Sequence, residues 1–217
     1  MKKKNQNFLI DLQTRIEESN QQKNNIERGI ILFNEKPKKG LDFLGKHNLI
    51  KSDDPDEIAE FLLTTPGLSK FTIGQFIGHH DPFNRTVLQA YSFKFNLKDL
   101  EIDEALRLFL QQFRLPGESQ MIDRIMESFS ATYYKDNTND FDVSKDLRGG
   151  GLDGVYVLAY SLIFLNTLNH NPKIAASRRL TKEQFVYQGR LSNPQFSPQR
   201  LEEIFTRVME NEFKTDT

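Results

Sequence analysis

Glu118 stands in the segment FRLPGESQMIDR (113–124), directly after Pro116-Gly117 and between two apolar helical patterns. A carboxylate in that place has two uses. It can stabilise the first turn of the following helix through the macrodipole, an effect of about 0.3–1 kcal/mol. It can also be held out to a partner from the tip of a stiff corner, because Pro116 and Gly117 suit the two central positions of a type II turn. A capping acid does not require so stiff a support, and periodicity leaves the choice open. Other candidate chemistry is thinner. GGGLDG (149–154) lacks the Lys-Ser/Thr and the preceding strand of a phosphate-binding loop, so a surface loop with Asp153 capping the next helix is expected. His79-His80 precedes Asp81 without a second ligand pair at helical spacing, and no metal is expected there. No Ser-His-Asp or paired-carboxylate arrangement stands out.

The elements that must position Glu118 are helices. Ile102, Leu106, Phe109, Leu110 and Phe113 recur at helical spacing before the corner, and Ile122, Ile125, Met126, Phe129 and Tyr133 recur after it. Asp54-Pro55, Asp81-Pro82 and Ser197-Pro198 place a capping side chain before a proline at the first helical position. Thr181 and Gln184 have capping-box spacing. About ten helices are predicted, near 6–34, 38–46, 55–64, 69–77, 82–93, 99–114, 118–135, 153–168, 181–189 and 198–211. A break in the first is open at the polar run Ser19 to Asn25, and Lys135 to Leu152 is expected to be a surface loop. Short connections predict helices that pack on their neighbours in sequence. The fold class is all-α, in a single domain.

Composition sets outer limits. A formal charge of −1 gives no reason to propose nucleic acid as a partner. Cysteine is absent, which excludes disulfides and cysteine-based zinc sites. MKKKNQNF lacks the apolar run of a signal peptide, and Val155 to Leu165 is about half the length that spans a bilayer. A soluble intracellular protein, or a soluble piece of a larger one, is therefore expected. Lysines 2–4, 36, 38 and 39 are expected to be solvated surface. Eighteen Phe and no Trp predict a core filled largely by rings. The run VYVLAYSLIFL (155–165) is apolar on all sides, as a central core helix is. Tyr160, Ile163, Phe164 and Thr167 nevertheless form one stripe that ends in a polar cluster, as the wall of a groove would.

FRLPGESQMIDR closely resembles the first signature of the Sec-seven catalytic domain of guanine nucleotide exchange factors for ARF GTPases, usually FRLPGEAQKIDR. DGVYVLAYSLIFLNTLNHNP (153–172) resembles the second. Further likeness lies in LFNEKPKKGLDFL, EIAEFL, FNRTVLQAY and EALRLFL, so that roughly residues 22 to 212 are covered, with 1–21 as a helical extension and 213–217 as a tail. The wording is most similar to the large Golgi-type members. The resemblance implies a right-handed superhelix of about ten helices with a hydrophobic groove, acting on a cytoplasmic ARF-family GTPase at Golgi or endosomal membranes. Membrane contact would then be peripheral, through ARF or through flanking domains. It implies no cofactor of its own, since it acts on the GDP and Mg²⁺ held by the GTPase, and a monomer. Glu118 would be a glutamic finger that enters the nucleotide site. Arg114, Leu115, Asp123, Arg124, Tyr160, Ile163, Phe164 and Asn171 would contact the GTPase.

The chain departs from the family wording at Ser119, Met121, Leu168 and Asn169, and QGRLSN (188–193) keeps only Arg190 and Asn193 of a later phrase. Tyr160-Ser161 matches members inhibited by brefeldin, where resistant ones tend to carry Phe-Ala. Two other classes stay open at this point. One is a module that docks ARF with little exchange, and the other is a helical scaffold that uses the groove for another helix.

Overall fold

Side-chain caps decide where several of the helices begin. Asp54 accepts from the backbone N–H groups of Asp56 and Glu57, Asp81 from Phe83, and Ser197 from Arg200. Each is followed by a proline in the first turn, and the Thr181–Gln184 capping box is complete. The structure, a computed structural model, describes residues 2–141 and 151–213. The helices are α1 (Lys2–Glu35), α2 (Pro37–Lys46), α3 (Pro55–Thr64), α4 (Lys70–Ile77), α5 (Pro82–Phe93), α6 (Ile102–Leu110), α7 (Ser119–Asp136), α8 (Gly151–His170), α9 (Lys182–Ser192) and α10 (Pro198–Glu210). Among the described residues there is no strand, and the all-α prediction holds.

Four local expectations change. Helix α1 runs unbroken through Ser19 to Asn25, because that polar run contains no proline or glycine to stop it. Helix α6 starts later than predicted: Asp99 has a φ of 60°, and Glu101 closes a capping box with Glu104. The stretch expected as a loop from Lys135 to Leu152 is shorter, since α7 continues to Asp136, a 3-10 turn covers Thr138–Phe141, and α8 begins at Gly151. Residues 142–150, including the first two glycines of GGGLDG, lie outside the described residues. Asp153 therefore sits inside the first turn of α8 rather than capping it.

Neighbours in sequence pack together in α1 on α2, α4 on α5, α7 on α8 and α9 on α10. Other pairs skip an element, as α3 on α5, α5 on α7 and α6 on α8 do. Burial in α1 begins at Gly29 and Phe33, while residues 13–24 are exposed. Rings do fill the centre. Edge-on contacts run from Tyr91 to Phe113 (6.2 Å between centroids) and from Phe113 to Phe109 (5.3 Å). The series continues through Phe129 (5.4 Å from Phe109) to Tyr133 (6.0 Å). Phe109, Phe113, Phe129 and both tyrosines are fully buried. This ring column passes through Phe113, the residue that opens the Glu118 corner.

The apolar run 155–165 lies within a 20-residue helix, which by length and composition alone could cross a bilayer. Its Val155, Leu158, Ala159, Leu162 and Leu165 are buried inside the protein, against α6, α7, α9 and α10. At the far end, α10 is fastened to α6 by Arg207, whose Nε and Nη2 donate to the buried Asp103 carboxylate at 2.8 and 2.6 Å. Beyond α10, Arg107 donates to the carbonyls of Asn211 and Glu212, each at 2.7 Å, and lies 4.8 Å from the ring centre of Phe213. Phe213 is buried, and its N–H donates to Asn166 on α8 at 2.8 Å.

Candidate functional site

The corner that carries Glu118 is braced from below. Phe113 and Pro116 are buried. The Arg114 N–H donates to the Lys70 carbonyl at 2.9 Å, which ties the corner to the start of α4. A Cβ on Gly74 would stand 1.9 Å from the Arg114 carbonyl oxygen, so only glycine lets α4 approach so closely. The expected type II turn is not formed. Gly117 lies outside the left-handed region that such a turn requires, and residues 117–118 make a bend. The stiffness has another source: the anchors at Phe113, Arg114 and Pro116 fix the backbone without a turn hydrogen bond.

Glu118 occupies the N-cap position of α7 with φ −88° and ψ 124°. Its side chain makes no capping hydrogen bond and is exposed, while its carbonyl accepts from Met121 and Ile122. The acid therefore leaves the capping role unfilled and points its charge into solvent. Beside it, the Arg114 guanidinium lies 5.8 Å from the ring centre of Phe71, which is exposed, and Leu115 is half-buried against the core.

Five residues further along α7, or about 7.5 Å at 1.5 Å per residue, Asp123 borders a hollow of about 400 Å³. The other walls come from α8: Tyr156, Val157, Tyr160, Ser161 and Phe164. Phe164 is 53% exposed and Val157 is 43% exposed, whereas Tyr160 and Ile163 are half-buried against the core. Helix α8 thus has both of the characters the sequence left open, core on one side and groove wall on the other. The Tyr156 hydroxyl donates to the Asp123 carboxylate across the two helices. That bond, followed by burial, pushes the Tyr156 phenol up to about 12. Ser161 donates to the Val157 carbonyl at 2.7 Å, which leaves its oxygen able to accept.

Other predicted residues are engaged within the protein. Arg124 Nε donates to the Gly78 carbonyl at 3.0 Å and so joins α7 to the end of α4. Asn171, exposed just past α8, accepts from the Lys173 N–H at 2.9 Å, which leaves its amide N–H groups for other partners. The unusual Asn169 is buried and exchanges two hydrogen bonds with the backbone of Leu180, each 3.1 Å. It works as a clamp. His79 and His80 stack at 4.4 Å, and the His79 Nδ1 accepts from the Asp81 N–H.

Sequence reasoning missed Tyr156 as part of the site. Tyr156 lies inside an apolar run, and its partner is 33 residues away, so no local pattern marks the pair.

The described residues thus form a helical body that carries an uncapped acid on a braced corner, near a partly apolar hollow. Residues 22–213 match the family described as Sec7 domain, and the chain belongs to that family. It is 40% identical over 201 residues to the Brefeldin A-inhibited guanine nucleotide-exchange protein 3 of Arabidopsis thaliana, covering 92% of this chain and 11% of that protein. The chain therefore spans only about a tenth of that relative's length. Among solved structures, the Sec7p catalytic domain aligns with a TM-score of 0.76 and 34% identity, over 86% of this chain and 94% of that one. A Sec7 domain complexed with ARF1-GDP and Brefeldin A aligns with a TM-score of 0.77 and 34% identity, over 90% and 95%.

Proposed function

We propose that this chain is the exchange-catalysing module for an ARF-family small GTPase, with Glu118 as the glutamic finger. The observation that carries this reading is the exposed Glu118 carboxylate, free of any capping bond, on a corner fixed by Phe113, Arg114 and Pro116. No bond is broken. The GTPase holds GDP through phosphate charge and Mg²⁺, and a carboxylate brought into that site repels the phosphate, disfavours the metal and offers the phosphate-binding lysine another anion. Two like charges about 4 Å apart repel by about 4 kcal/mol at an effective dielectric of 20, and a tenfold rate change needs about 1.4 kcal/mol. Because the corner is already fixed, docking loses little ordering entropy there. The hollow between Asp123 and Phe164 takes the switch regions of the GTPase, with Tyr160, Ile163 and Phe164 as apolar contacts. In this reading Arg114, Leu115, Arg124 and Asn171 also contact the GTPase. Similarity to the Brefeldin A-inhibited exchange proteins supports action at Golgi or endosomal membranes, with residues 1–21 as an extension outside the family match.

Fluorescent-GDP release from a panel of ARF proteins tests the reading. The wild-type chain accelerates release at substoichiometric concentration, and Glu118→Lys abolishes it without lowering the melting temperature. A lysine attracts the phosphate, so this variant is expected to trap an ARF–GDP complex. A wild-type chain that binds ARF without releasing GDP would favour the docking-module reading instead.

A further inference from the structure

We infer that Tyr156 is a positioning residue for exchange, its hydroxyl fixing the Asp123 carboxylate at the rim of the hollow for a cationic side chain of the GTPase. This rests on the exchange reading and adds a role for Tyr156 within it. Asp123 is exposed on α7 and borders the hollow together with Tyr156, Tyr160 and Phe164. An exposed aspartate samples several rotamers, and each must be given up when a partner docks. The Tyr156 hydroxyl, from the facing helix α8, removes that freedom in advance through a charge-assisted bond to one carboxylate oxygen. An ionised carboxylate has about four acceptor sites, so the other oxygen stays open to a second donor.

The surroundings favour this arrangement. Tyr156 is half-buried and its ring lies 6.1 Å from that of Tyr160, so the phenol is held by packing before any partner arrives. The neighbouring cation, Arg124, donates its Nε to the Gly78 carbonyl. Asp123 forms no salt bridge of 4 Å or less among the described residues, and a donor from the partner would meet a carboxylate already oriented. With the phenol pushed up to about 12, the bond persists across the pH range of an exchange assay.

Steady-state release of fluorescent GDP from ARF, measured for wild type, Tyr156→Phe, Asp123→Asn and the double variant, tests the inference. Tyr156→Phe keeps the ring and removes only the hydroxyl. It is expected to raise KM about three- to tenfold with kcat and melting temperature unchanged. Asp123→Asn also raises KM and flattens its salt dependence, and adding Tyr156→Phe to it has no further effect, because the hydroxyl acts through the carboxylate. Equal KM for wild type and Tyr156→Phe would overturn the inference and leave the exchange reading intact. So would a KM rise accompanied by a matching fall in melting temperature, or full additivity in the double variant, since either marks Tyr156 as a structural brace. A wild-type chain inactive on every ARF tested would remove the exchange reading and this inference together.

Discussion

Asn193 is fully buried and donates its side-chain amide to the Gly154 carbonyl at 2.9 Å, which fastens the end of α9 to the first turns of α8. The fit is tight. A Cβ on Gly154 would stand 2.6 Å from Asn193 Oδ1 and 2.9 Å from the Ser192 carbonyl oxygen. Asn193→Ala leaves a buried carbonyl without this donor, at a cost of about 1–3 kcal/mol. For a chain of this size the melting temperature should fall by about 2–4 °C per kcal/mol. Thermal unfolding by circular dichroism checks it, and an unchanged midpoint would count against the clamp.

Gly117 gives a test of the corner itself. Its backbone is outside the left-handed region, and a Cβ built on it meets nothing within 4 Å. Gly117→Ala is therefore expected to leave stability unchanged or to raise it by about 0.4–1 kcal/mol, through a less flexible unfolded chain. A type II turn would make the same change destabilising. Denaturant unfolding separates the two outcomes.

Phe164 is more than half exposed, so its ring is available to a partner. Phe164→Ala should weaken ARF binding by about 1–3 kcal/mol. It should cost far less stability than the roughly 3–5 kcal/mol of a buried phenylalanine. Titration calorimetry with nucleotide-free ARF, beside a melting curve, measures both. A large fall in melting temperature with intact binding would remove Phe164 from the docking surface.

Tyr160 and Ser161 line the hollow together, and the Ser161 oxygen can still accept a hydrogen bond. Two hydroxyls in a partly desolvated slot hold a polar inhibitor where a bare ring and a methyl cannot. Brefeldin is expected to inhibit exchange weakly, because Leu168 supplies no polar partner. Leu168→Asp should strengthen inhibition by about 1–2 kcal/mol, and Tyr160→Phe combined with Ser161→Ala should remove it. Dose–response curves of GDP release on the three proteins decide the matter.

Local signals carried the helix starts well, since a capping side chain followed by proline is a short-range event: Asp54, Asp81 and Ser197 all cap as their sequence suggests. The signature around Glu118 singles out the acid as a candidate and says nothing of its geometry. Pro-Gly suggested a turn, but the position of Pro116 is set by burial against distant residues, which no dipeptide encodes. Phe113 falls in the apolar stripe of α6 and is buried as that stripe requires, yet the helix stops at Leu110. The links between Asp123 and Tyr156, Asn169 and Leu180, and Asp103 and Arg207 join separate elements. They exist only once the helices have packed.

Phe213, beyond the end of α10, is held by Arg107 on α6 and by Asn166 on α8. Asn166 lies two residues from Phe164. A pull on the backbone at residue 213 would therefore be felt first by α6 and by α8, the helix that also walls the hollow.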